Sequence, residues 1–141
     1  MNDIEVAKKM LDEGEYTCVL CKGDIVYTSC ERGISPMLSW LDMGLDMKGF
    51  FAADKIIGKA AAMLFILAEV QEVYAPVMSE GAIQELSKHG IISHCLQSVD
   101  QIINRKGDGQ CPMEMTVAEI SDPQQALAAL KQKVCELRNH V

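Results

Sequence analysis

The residues best placed for chemistry are Asp54-Lys55-Ile56-Ile57-Gly58-Lys59. They open the most apolar part of the chain, since Ala60 to Ala68 carries no polar residue. The pattern predicts that Asp54 caps a helix reaching about Glu69, the longest of the fold and buried all round. Lys55 and Lys59 are four apart, so they would share a face of that helix. Both would lie near the positive end of the helix dipole, where cations are disfavoured. An anion held between the ammonium groups and the free N–H groups would reverse that sign. Gly58 points the same way. Glycine inside a helix costs about 1 kcal/mol relative to alanine, and is kept where a backbone or a ligand comes close. The plain alternative is two solvated lysines partly offset by Asp54.

A second constellation is Cys111-Pro112-Met113-Glu114, which follows a polar turn from Asn104 to Gln110. Proline fits a first helical turn, and Glu114 can reach free N–H groups as in a capping box. Read functionally, a thiol at a helix start is the more nucleophilic for its lowered pKa, helped by Lys55 or Arg105 nearby. Glu114 would then move a proton. Cys18 and Cys21 form a C-x-x-C, but no second ligand pair follows at similar spacing, as a zinc knuckle requires. Three apart on a strand, the two thiols face opposite sides of a sheet. Cys18, Cys30, Cys95 and Cys135 read as buried small apolar residues or incidental surface thiols. Trp40, between Leu38 and Leu41, reads as core or interface.

Composition narrows the function classes. The chain has 141 residues, enough for a single domain over residues 1–141 with its own core. Aromatic residues are 5 %, so that core must be aliphatic, with nine Met filling gaps. The net charge of -7 leaves no basic face for nucleic acid and disfavours anionic membranes. Met1 to Lys9 is polar and unlike a signal peptide. Nowhere is there an apolar run near the ~20 residues of a membrane span. The six cysteines are expected as free thiols in a reducing compartment, hence a cytoplasmic location.

The elements that must position these residues alternate between helix and strand. Asn2 or Asp3 can cap a first helix ending at Gly14. Tyr16 to Cys21 and Ile25 to Ser29 read as a hairpin turning at Lys22-Gly23-Asp24. Ser35-Pro36 opens a short helix stopped by Gly44. Gly49 to Ala53 reads as extended, followed by the helix at Asp54. Glu72 to Val77 reads as a strand, and Ser79 caps the next helix. Ile91 to Val99 is another strand, and Asp122-Pro123 opens the last helix. This order predicts an α/β fold with a mixed sheet covered on both faces.

Several segments resemble an uncharacterised bacterial family, known only as a domain of unknown function, within the cytidine deaminase-like superfamily. They are Gly33-Ile34-Ser35-Pro36-Met37-Leu38, Ala53-Asp54-Lys55 with Gly58-Lys59-Ala60-Ala61-Ala62, Val73-Tyr74-Ala75 with Ser79, Ile103-Asn104-Arg105 and Cys111-Pro112-Met113-Glu114. The resemblance implies a three-layer α/β/α sandwich with a mixed sheet. It also implies that two central helix starts, at Asp54 and Ser79, meet at one site. Deaminases of that superfamily hold zinc there with His-x-Glu and Pro-Cys-x-x-Cys. Here the corresponding stretches read Asp54-Lys55-Ile56 and Pro76-Val77-Met78-Ser79-Glu80. A catalytic zinc needs three protein ligands, and His89, His94 and Cys95 lie elsewhere, so neither a metal nor another cofactor is expected.

The leading expectation is therefore a domain binding a small anionic, phosphate- or nucleotide-like ligand. Asp54, Lys55, Gly58, Lys59, Ser79, Asn104 and Arg105 would hold it, without zinc deaminase activity. One alternative is an enzyme with Cys111 as nucleophile and Glu114 as acid/base. Another is a homo-oligomeric interaction module assembling through aliphatic faces.

Overall fold

The computed structural model describes residues 1–104 and 106–139. The first helix, α1 (Asp3–Glu13), is capped by Asn2, whose side chain accepts from the Glu5 N–H. The strands β1 (Cys18–Lys22) and β2 (Ile25–Ser29) form an antiparallel hairpin, with Gly23 in the left-handed region its tight turn requires. Then come α2 (Ser35–Asp42), β3 (Phe51–Asp54), β4 (Ile56–Ile57) and α3 (Lys59–Ala68). The chain continues through β5 (Glu72–Ser79), α4 (Glu80–Lys88), β6 (Ile92–Val99), α5 (Pro112–Val117) and α6 (Pro123–Asn139).

The sheet is mixed. β1 runs antiparallel to both β2 and β3, while β3, β4 and β6 run parallel to β5. β3 and β4 are two halves of one strand, because Phe51 pairs with Glu72 and Ile56 with Val77, the same offset on either side of a break. The break lies opposite Pro76, the one residue of β5 without an N–H to give. The pairing of β5 with β6 skips the same residue. Asp54 and Lys55 occupy this interruption.

The expected helix start at Asp54 is thus corrected. The sequence from Asp54 to Ile57 finishes a parallel strand, and the helix begins at Lys59 with Gly58 as its N-cap. Ile56 and Ile57 alternate outward and inward, exposed and fully buried, as strand residues do. Lys55 and Lys59 therefore share no helix face. The helix is also not the longest, with 10 residues against 17 in α6. Its buried character is as expected: eight of its side chains lie in the core.

Two apolar cores flank the sheet. The larger joins α2 through α6 to Cys18, Leu20, Ala52, Ile57, Val73 and Ala75. The smaller is formed by α1 alone, with Ala7 and Leu11 on Val19, Cys21, Ala53 and Tyr74. Cover on the α1 side is incomplete, because α1 packs on β1, β3 and β5 and leaves the outer face of β6 bare. No described helix is long and apolar enough to cross a membrane.

Candidate functional site

The interrupted strand, the start of α3, the loop before α2, residues 102–104 and 106–114, and Val134 and Leu137 of α6 border an open cleft of about 1080 Å³. Its walls are largely apolar, with Ile34, Ile56, Ile102, Ala61 and Met113 among them. Asp54 lines it and is itself buried. Its carboxylate accepts from the Lys55 N–H at 2.8 Å, and no ion pair forms with it among the described residues. Burial pushes this carboxyl up to about 7, although the N–H groups of Lys55 and Ile56 pull it down. A buried acid titrating near neutrality in a cleft is the strongest mark of a site on this surface.

Glu114 closes the start of α3. Its two carboxylate oxygens accept from the N–H groups of Lys59 at 2.7 Å and Ala60 at 2.8 Å. The helix N-terminus does attract an anion, and a residue of this chain supplies it. This explains Gly58, since a Cβ there would collide with the Glu114 carboxylate. Gly58 sits at the N-cap with an extended backbone, so close approach is its reason. Glu114 is correspondingly committed and is not poised to serve Cys111.

The other sequence candidates divide. Lys55 lines the cleft, but its Nζ donates to the Leu11 carbonyl at 3.3 Å, and Lys59 donates to the Ala118 carbonyl at 3.1 Å. Ser79 caps α4, accepting from the Ala82 N–H at 3.1 Å. It does not line the cleft, so the two helix starts do not enclose one site as expected. Each start is satisfied separately, that of α4 by Ser79 and that of α3 by Glu114 of α5. Asn104 lines the cleft but its amide braces its own loop through Asp108. Arg105 lies outside the described residues. Cys111 is half-buried at the start of α5 and lines the cleft. Cys18 stands opposite Asp54 on the neighbouring strand, and burial, then the Asp54 charge, push its thiol well up, which makes it unreactive. Among the described residues no three His, Cys, Asp or Glu side chains gather to hold a metal ion.

Sequence reasoning missed Thr17, Arg32 and Lys106, all of which line the cleft. Nothing local marks them. Arg32 precedes Gly33-Ile34-Ser35, which also reach the cleft, and that adjacency was its one available signal.

Fold and site together define a mixed α/β domain with a polar residue buried at the floor of an apolar cleft. The family model "TM1506: Domain of unknown function (DUF1893)" matches residues 6–134. The chain belongs to the DUF1893 family. It is similar in fold to the crystal structure of a DUF1893 family protein (TM1506) from Thermotoga maritima. That likeness has a TM-score of 0.85 at 23 % identity and covers 94 % of this chain and 90 % of the other. No curated protein matches the sequence.

Proposed function

We propose that this chain binds a small nucleotide-like ligand in the cleft. A hydrogen-bond donor of the ligand reaches Asp54. Its apolar body lies on Ile34, Ile56 and Ile102, and its anionic part meets Arg32 and Lys106. The observation that carries this is the buried carboxyl of Asp54 at an apolar cleft, with no ion pair to it among the described residues. Such a group is costly unless something uses it. The reading differs from an anion held by Lys55 and Lys59, whose ammonium groups serve carbonyls of α1 and the residue after α5.

The resemblance to cytidine deaminase-like proteins agrees with a ligand beside the start of α3. That start reads Gly58-Lys59-Ala60, without the His-x-Glu of a zinc site, and α4 begins Ser79-Glu80-Gly81 without cysteine. Zinc-dependent deamination is not part of the proposal. Nor is a Cys111 nucleophile with Glu114 as base, because both Glu114 oxygens cap α3.

A thermal-shift series with nucleosides, nucleotides and inorganic phosphate tests the proposal. A nucleotide at about 100 times its Kd should stabilise by about 2.7 kcal/mol. Asp54→Asn and Arg32→Ala should each weaken that effect at least tenfold in apparent Kd, while Lys59→Ala, outside the cleft lining, leaves it unchanged. A nucleotide that stabilises wild type and Asp54→Asn alike would sink the reading, as would no stabilisation by any nucleoside or nucleotide.

A further inference from the structure

One edge of the sheet is β6, and among the described residues it lacks the devices that usually protect an edge. Strands at edges are kept apart by charges, proline, bulges or shortness. β6 pairs with β5 along almost its whole length, from Ile92 to Val99, without a bulge. It contains no Lys, Arg, Asp, Glu, Pro or Gly. Its outer face is bare and apolar at two points, with Ile92 56 % and Leu96 74 % exposed. His94 lies between them and is held by Glu72 of the neighbouring strand at 3.1 Å. The opposite edge, β2, is shorter and is flanked by Asp24 and Glu31. Among the described residues β6 is thus the longer open edge, with eight residues against five.

We infer that β6 is a self-association surface whose partner is the β6 strand of a second copy, paired antiparallel about a two-fold axis. The strand's own residues specify this occupant. A two-fold axis through residue 96 sets Leu96 directly opposite Leu96 of the second copy, on the bare face. Cross-strand partners lie about 4.5–5.5 Å apart between Cβ atoms, so the two most exposed side chains of the strand cover one another. The same register places His94 opposite Ser98 and Cys95 opposite Gln97, so no like charges meet. A two-fold through residue 94 would instead oppose the two histidines. The interface is isologous and closes at two copies, which prevents open fibres. Stable interfaces begin at roughly 1,200 Å² in total, and pairing over a single strand is a small interface, so the dimer is weak and concentration-dependent. None of this rests on ligand binding in the cleft, which opens elsewhere.

Sedimentation velocity on the full chain from about 1 µM to about 500 µM, a span crossing micromolar Kd values, tests the inference. Wild type should pass from monomer to dimer. Leu96→Lys sets two ammonium groups face to face and should weaken the dimer at least tenfold, as should Leu96→Glu. Mixing those two variants should restore a dimer, because Lys then faces Glu across the axis. Leu96 is exposed, so the variants fold, and matching far-ultraviolet dichroism checks this. Val26→Lys on the other edge should leave association unchanged. A wild type that stays monomeric throughout overturns the inference. So does a dimer indifferent to Leu96→Lys, or a mixture that remains monomeric.

Discussion

Glu114 and Gly58 meet at the start of α3, where the Glu114 carboxylate accepts from the Lys59 and Ala60 N–H groups in the space a Cβ on Gly58 would take, and they work only as a pair. Glu114→Ala strands two N–H groups at a partly buried helix start, and hydrogen bonds to charged groups contribute about 1.5–3 kcal/mol each. A loss of about 3 kcal/mol is expected by urea denaturation. Gly58→Ala should cost about 1–2 kcal/mol by pushing the carboxylate off those donors. In the Glu114→Ala background the same glycine change should be neutral or stabilising by up to about 1 kcal/mol, since its backbone suits alanine. Additive losses in this cycle would show that the two residues act separately. Asp54 gives a second prediction at this scale. Its carboxyl is raised to about 7 in the folded chain, against about 3.9 in an unfolded one. Between those values the folded state holds a proton that the unfolded state has released. Stability is therefore greatest at the acid end of that window and falls as pH rises through it. Asp54→Asn should remove up to roughly 4 kcal/mol of this fall between pH about 4 and 7. Urea midpoints of both proteins across the window measure it, and parallel profiles would contradict it. The sequence marks Gly58 as a place of close approach. It cannot show that the approaching group is Glu114, because a contact between residues so far apart along the chain leaves no local pattern.

At the scale of elements, the interruption between β3 and β4 decides where the site lies. Helix and strand compete over Asp54 to Ile57: a capping type and the long apolar run that follows favour helix, while the two β-branched isoleucines favour strand. The winning signal is remote, the parallel pairing of Ile56 and Ile57 with Val77 and Met78. Elements whose ends are marked by glycine, proline or a capping side chain are legible without tertiary help. Asn2 opens α1, Gly23 turns the hairpin, Ser79 caps α4 and Pro123 opens α6. The strand assignment predicts a sharp contrast between adjacent residues. Ile57 is fully buried and Ile56 is half exposed. Ile57→Ala should cost about 2–4 kcal/mol, and Ile56→Ala less than about 1 kcal/mol, since exposed positions contribute little. Comparable losses at both would argue against the strand. Ile56 also lines the cleft, so its replacement should be felt in ligand affinity more than in stability.

For the whole molecule, the division into two cores on opposite sides of one sheet predicts that the protein does not open all at once. The alternation of Cys18 and Cys21 is legible in the sequence, and the structure places one thiol in each core. Cys18 is sealed beneath the helices of the larger core. Cys21 is sealed only by α1, a single helix resting on a few side chains and held by Lys55 at the Leu11 carbonyl. Burial pushes both thiols up, so neither reacts from the closed state. Each must be released by an opening, and openings of small peripheral units lie below the global unfolding free energy. Cys21 should therefore label with a disulfide reagent at urea concentrations where Cys18 stays protected. Leu11→Ala weakens the α1 contact and should accelerate labelling of Cys21 while sparing Cys18. To isolate the two, Cys30, Cys95, Cys111 and Cys135 are replaced by serine, and the remaining thiols are located by peptide mass. Equal opening free energies at Cys18 and Cys21, in wild-type background and with Leu11→Ala, would mean that α1 and the larger core form one cooperative unit. A lower value at Cys21 would mean that the small core under α1 comes apart first, leaving the sheet and the walls of the cleft in place.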